Sequence, residues 1–196
     1  MAACQSSPLC APQGLLLLIG VISFHVPEVQ AAPADFWCNV KAREYMEKKT
    51  EGLKKDMADC VGSDKLSSPV QLPCVWLHAA EWANKTLQQK RAEVVGALQM
   101  FQDGVHRVNR TSLQCQTSLL DRLREHTENY LAIINGLQLQ NDTVTPSHSA
   151  VQNCSSQTSL NKVLDEYRNL LKGKLKYLAI DLQSSICKVE HRTTNT

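Results

Sequence analysis

Only four residues, Asn109 to Ser112, separate two long stretches of helical periodicity. Fully extended, such a joint reaches about 13 Å, far less than either stretch as a helix. The two must therefore run antiparallel, side by side. The upstream stretch, Leu77 to Val108, repeats Leu87, Val94, Leu98, Phe101, Val105 and Val108 along one helical face. Trp76 and Trp82 lie near its start, where aromatic rings commonly anchor a loop. The downstream stretch, Leu113 to Leu139, turns Leu119, Leu120, Leu123, Tyr130, Leu131, Ile134 and Leu137 inward and Asp121, Arg122, Glu125 and Glu128 outward.

Two further helices flank this pair. Phe36 to Cys60 carries a sparse stripe of Ala42, Met46, Leu53, Met57 and Cys60, with Lys41, Lys48 and Lys55 repeating on the other side. Leu160 to Cys187 carries the strongest stripe, from Leu160, Val163, Leu164 and Tyr167 through Leu175 and Leu178 to Ile186, and Ser159 stands where an N-cap belongs. The connections into the second and fourth helices are long. Val61 to Pro73, punctuated by Gly62, Pro69 and Pro73, reaches about 43 Å extended, against roughly 37 Å for the first helix. Gln140 to Thr158 is polar and longer still. No segment has a clear strand period. Long, short and long connections predict an all-α, long-chain four-helix bundle with up-up-down-down connectivity, stabilised by disulfides.

Residues 1–31 read as a cleaved secretory leader, residues 32–188 as the bundle, and residues 189–196 as a short disordered tail. The leader rests on the apolar run Leu15 to Phe24, too short to span a bilayer, followed by small residues at Ala31 and Ala32. Its removal takes away one acidic residue, Glu28, so net charge moves from +2 (21 basic, 19 acidic) to +3 (21 and 18). That is too mild to argue for nucleic-acid or bulk membrane binding, and with no other stretch approaching eighteen apolar residues no membrane insertion is expected. Removal also leaves Cys38, Cys60, Cys74, Cys115, Cys154 and Cys187, an even set that reads as disulfides in an exported chain. In the expected topology the first helix starts where the fourth ends, which favours Cys38–Cys187. It ends where the third begins, which favours Cys60–Cys115. Cys74–Cys154 remains, tying one crossover to the other. Sequons at Asn84, Asn109, Asn141 and Asn153 suit a glycoprotein of the secretory route.

No motif of catalysis, metal ligation or cofactor binding appears, so neither an enzyme nor a cofactor is expected. His78, His106, His126, His148 and His191 are scattered and expected to be exposed. On the fourth helix, Asp165, Arg168, Asn169, Lys172 and Lys176 face away from the apolar stripe. That basic row is either a solvated face or a partner surface. Gly173 costs a helix roughly 1 kcal/mol, which suggests close approach of a partner or of a crossing loop. Lys174 falls at the edge of the stripe, where its stem packs and its ammonium is expected to snorkel. A different class of function, a secreted helical lipid carrier, is also compatible with amphipathic helices and disulfides.

The run Asn169-Leu170-Leu171-Lys172-Gly173-Lys174-Leu175-Lys176-Tyr177-Leu178, continuing to Ser184-Ser185-Ile186-Cys187, resembles the last helix of the erythropoietin/thrombopoietin cytokine family. The Cys38-to-Cys60 spacing is similar to both branches. Val70-Gln71-Leu72-Pro73, Glu81-Trp82, Val95-Gly96-Ala97 and Cys115 with Ser118-Leu119-Leu120 resemble the thrombopoietin branch, whereas Cys74 and Cys154 are additions to it. The resemblance implies a secreted haematopoietic hormone that joins two class I cytokine receptor chains through two faces. It implies a first site on the fourth helix, at Arg168, Lys172, Gly173, Lys176 and Tyr177. The second would lie on the first and third helices, at Lys41, Lys48, Arg122 and Glu125.

Overall fold

Two residues with side-chain oxygens break helices that periodicity alone predicts as continuous. Asn39 accepts a hydrogen bond from the Ala42 amide (3.2 Å) and so caps a new helix. Thr86 accepts from the Gln89 amide while the Gln89 side chain accepts from the Thr86 amide, a reciprocal capping box. The computed structural model describes residues 33–60, 62, 64–108, 113–137 and 153–187. The leader, the tail, Asn109, Asn141, His148 and His191 lie outside them.

The first helical segment is therefore α1 (Pro33–Cys38) plus α2 (Val40–Asp59), and the second is α3 (Ala79–Asn84) plus α4 (Leu87–His106). The third is the single helix α5 (Gln114–Asn135). The fourth departs from the expected continuous helix. It comprises α6 (Leu160–Leu170), a π-helical turn (Leu171–Leu175) with non-helical torsions at Gly173, and α7 (Lys176–Ser185). A π-turn of this kind is a recognised cause of helix kinks.

The two crossovers are not plain loops. Lys65–Pro73 forms β1 and Asn153–Ser159 forms β2, paired antiparallel with register shifts on either side of the Val70–Leu72 stretch. This two-stranded ribbon, which no strand period in the sequence announces, lies within the crossovers of a mainly helical fold. Strand β1 buries Leu66, Val70 and Leu72 against the bundle, and α4 packs beneath it. Asp64 fastens the join between strand and helix: its carboxylate accepts from the Ser159 hydroxyl (2.9 Å) and the Asn161 amide (2.8 Å). Ser159 caps α6 by accepting from the Lys162 amide.

Helix α1 packs on α7 and α2 on α6, so the first and fourth segments run antiparallel. Cys38 is bonded to Cys187 at one end of that pair, with 5.6 Å between Cα atoms. Cys60, after α2, is bonded to Cys115 at the start of α5 (6.0 Å), so the first and third segments are also antiparallel. Cys74–Cys154 joins the crossovers (4.9 Å). The architecture is an up-up-down-down four-helix bundle. Its core is contiguous and includes the apolar stripes of the four segments, with Phe101 edge-on to Tyr167 at 5.4 Å.

Gly104 marks where β1 meets α4. A methyl there would lie 2.7 Å from Val70 Cγ1 and 3.2 Å from the Gln71 carbonyl oxygen. Alanine gains about 1 kcal/mol of helix propensity, but overpacking of this kind costs more. Gly104→Ala should therefore lower unfolding stability by about 1–2 kcal/mol, read in urea denaturation. Equal or higher stability would mean that β1 does not press on α4.

Candidate functional site

The basic row of the fourth segment divides at the π-turn. Before Gly173, Lys172 in the turn and Arg168 on α6 approach Glu51 on α2, at 2.5 Å and 3.9 Å, and Lys54 bridges to Asp165 at 2.8 Å. The Lys172 hydrogen bond, reinforced by the charges of Lys172, Arg168 and Lys54, holds the Glu51 carboxyl below its usual pKa against an opposing burial effect. What periodicity presents as uncompensated positive charge is thus partly neutralised by the neighbouring helix. Above the turn, Lys176 and Tyr177 are exposed, and Lys176 makes no ion pair with a described residue.

Beside Lys176 a cleft of about 230 Å³ opens between α1–α2 and the fourth segment. Phe36, Trp37, Leu171 and Leu175 form part of its lining, along with the exposed Val40 and Ile180. Glu44, Glu47 and Arg43 also border it. Sequence reasoning missed this cleft and missed Glu51. The available signal was the acidic line Glu44, Glu47 and Glu51, which shares a face of α2 at helical spacing.

Gly173 does not carry the tight contact expected of it. A methyl there would meet the Val75 carbonyl oxygen at 3.7 Å, an ordinary distance, and the glycine instead sits at the kink. The crossing segment does pass on this side. Lys174, expected to snorkel, is buried: its ammonium pairs with Glu93 at 2.7 Å and donates to the Cys74 carbonyl at 2.5 Å. Lys85 reaches the other oxygen of Glu93 (2.6 Å) and also Glu81 (2.6 Å). Burial works against the Lys85 charge, but its hydrogen bonds to the two carboxylates outweigh that and raise its pKa. Nearby, Asp181 accepts from Lys90 (2.9 Å) and from the indole of Trp82 (3.2 Å). Trp82 is an anchor, whereas Trp76 is 71% exposed.

The residues expected on the other face are spread along α2 and α5. Lys41, Lys48 and Glu125 are exposed. Arg122 pairs with Asp56 across the helix interface. His126, expected to be exposed, is buried on this side, and its Nδ1 finds no hydrogen-bond partner among the described residues. Burial, followed by the nearby Lys49 charge, pushes its pKa below 6.5, with Glu125 opposing. Of the predicted glycan sites, Asn84 is exposed at the end of α3 and Asn153 opens β2.

The erythropoietin/thrombopoietin family model matches residues 36–190, the stretch holding all three disulfides and every residue of the two expected faces. The chain belongs to the erythropoietin/thrombopoietin family. Dog thrombopoietin is 25% identical over 183 residues, covering 91% of this chain and 49% of that protein. Mouse thrombopoietin is 25% identical over 177 residues, covering 88% and 46%. Erythropoietin of the grouper Epinephelus coioides is 23% identical over 175 residues, covering 88% and 94%. The chain spans about half the length of the thrombopoietins it matches.

Two measurements test the electrostatics of this family member. Lys174→Met keeps the bulk but strips Glu93 of one partner and the Cys74 carbonyl of its donor, and should cost about 3 kcal/mol in urea denaturation. A change near zero would mean that the pair is not buried in solution. For His126 the depressed folded pKa means that the unfolded chain binds the proton more readily. Stability present above pH 6.5 is therefore lost as pH falls from there through the folded pKa. Denaturation curves at stepped pH between neutral and mildly acidic should show that loss in the parent and much less of it in His126→Gln. Parallel curves would remove His126 as its source.

Proposed function

We propose that this chain is an exported haematopoietic cytokine, not an enzyme, that draws together two class I cytokine receptor chains of the thrombopoietin-receptor type. In this reading residues 1–31 direct export, residues 32–188 form the ligand and residues 189–196 are an unstructured tail. Family membership supports the cytokine class. The thrombopoietin assignment draws on the motif and spacing of the fourth helix and on Cys115.

The observation that carries a first receptor face is the surface above the π-turn. There Lys176, a cation without an ion pair among the described residues, stands beside exposed Tyr177 and Ile180 and the rim of the cleft. A compact aromatic and aliphatic patch with adjoining charge is the composition of an interface hot spot. Arg168, Lys172 and Gly173 extend this face, with Arg168 and Lys172 contributing less because Glu51 already engages them. The second face comprises Lys41, Lys48, Arg122 and Glu125, whose charges favour orientation and encounter rate more than affinity. Proximity of two receptor chains then activates the kinases they carry inside the cell.

The test uses factor-dependent cells bearing either the thrombopoietin or the erythropoietin receptor of a matched vertebrate. Receptor phosphorylation through the first alone is the expected result; response only through the second would make the chain an erythropoietin-type ligand. Tyr177→Ala with Lys176→Glu should weaken receptor binding by at least about tenfold, the effect of about 1.4 kcal/mol, with an unchanged melting curve. Undiminished binding would move the first face elsewhere. Silence at both receptors, together with lipid released on delipidation, would favour the carrier reading.

A further inference from the structure

The sequon Asn153-Cys154-Ser155 has a disulfide cysteine as its middle residue. Its backbone is also part of a strand: Asn153 stands opposite Pro73 and Ser155 opposite Leu72 in the β1–β2 ladder. The Ser155 carbonyl accepts a further bond from the Gln71 side chain at 3.0 Å. The opposing strand and the residues just after it are firmly held, with Val70, Leu72 and Val75 in the core and the Cys74 carbonyl bound to the buried ammonium of Lys174. Cys74 is thus presented at a fixed place, 80 residues ahead of its partner in the chain.

We propose that modification of Asn153 is gated by the Cys74–Cys154 disulfide, because bond formation and glycan transfer compete for the same three residues. The proposal rests on the export reading above. In transfer, the Asn153 amide nitrogen attacks C1 of a lipid-pyrophosphate-linked oligosaccharide, loses a proton, and releases the lipid pyrophosphate. The transferase must bend the sequon and bind its backbone free of other partners. In bridging, the two thiols give up two protons and two electrons to the disulfide of an oxidoreductase in the secretory compartment. Once that bond draws the sequon into the ladder, its backbone is extended and paired, and the enzyme is denied it.

The time scales overlap. Chain emerges at about 5–20 residues per second, and bridging begins on the scale of seconds. Cys74 is already exposed to oxidant when Cys154 and the sequon arrive together. Asn84 differs, since it lies at the exposed end of α3 and none of its sequon residues is a cysteine. Its occupancy carries no such dependence, which makes it the internal reference.

The experiment expresses the full chain in cultured vertebrate cells and measures site occupancy by mass spectrometry of enzymatically deglycosylated peptides. The parent should carry sugar at Asn84 in most molecules and at Asn153 in a minority. Cys74→Ser leaves the sequon intact and should bring Asn153 to majority occupancy. Removing a different bridge, with Cys60→Ser and Cys115→Ser together, should leave Asn153 in the minority. Full occupancy in the bridged parent, or no rise in Cys74→Ser, would overturn the proposal. An equal rise in the control would also overturn it, by showing that slow folding alone exposes the sequon. No sugar at any sequon would overturn the export reading and this proposal with it.

Discussion

The buried ammonium of Lys174 holds together three parts of the chain that share no covalent link near it. Its stem rises from the π-turn of the fourth segment, its charge meets Glu93 on α4, and a second bond fixes the Cys74 carbonyl at the end of β1. A charge taken out of water is costly unless it is both paired and hydrogen-bonded. Lys174 meets both conditions, and Lys85 completes the other side of the Glu93 carboxylate. The position of the first crossover, and with it the anchored half of the Cys74–Cys154 bridge, depends on this arrangement.

The same crossover explains why the strands escape detection by periodicity. Strand β2, Asn153–Ser159, contains no large aliphatic or aromatic residue, so it has no alternation of apolar and polar positions to reveal it. Its order is borrowed from β1, which supplies the buried residues. Strand β1 in turn contains Pro69, which argues against an interior ladder position. The register shift between Lys65 and Val70 accommodates it. Polar segments of this kind become strands only when a partner edge is brought to them.

Charge was more legible than charge pairing. Helical spacing correctly collects Arg168, Lys172 and Lys176 on one side of the fourth segment, and equally collects Glu44, Glu47 and Glu51 on one side of α2. Which of these meet depends on helix packing, and packing leaves Glu51 between Arg168 and Lys172 while Lys176 pairs with no acid among the described residues. His126 is a similar case. One residue from Glu125 in sequence, it is nevertheless turned into the α2–α5 side and buried, whereas Glu125 is exposed.

By itself the sequence determined the class and connectivity of the fold. Apolar residues at helical spacing must find a shared core, and the reach of a four-residue joint against two long crossovers leaves few ways to arrange four helices. It also determined most of the buried set, since Leu119, Leu123, Tyr130, Val163 and Tyr167 lie in the core as their spacing requires. Some breaks were legible in principle, because the Thr86–Gln89 capping box is a local signal. Only the tertiary structure decided the strand pairing, the burial of Lys174 and the cleft beside Lys176. Each depends on contacts between residues distant in the chain, and local spacing carries no information about which surfaces meet.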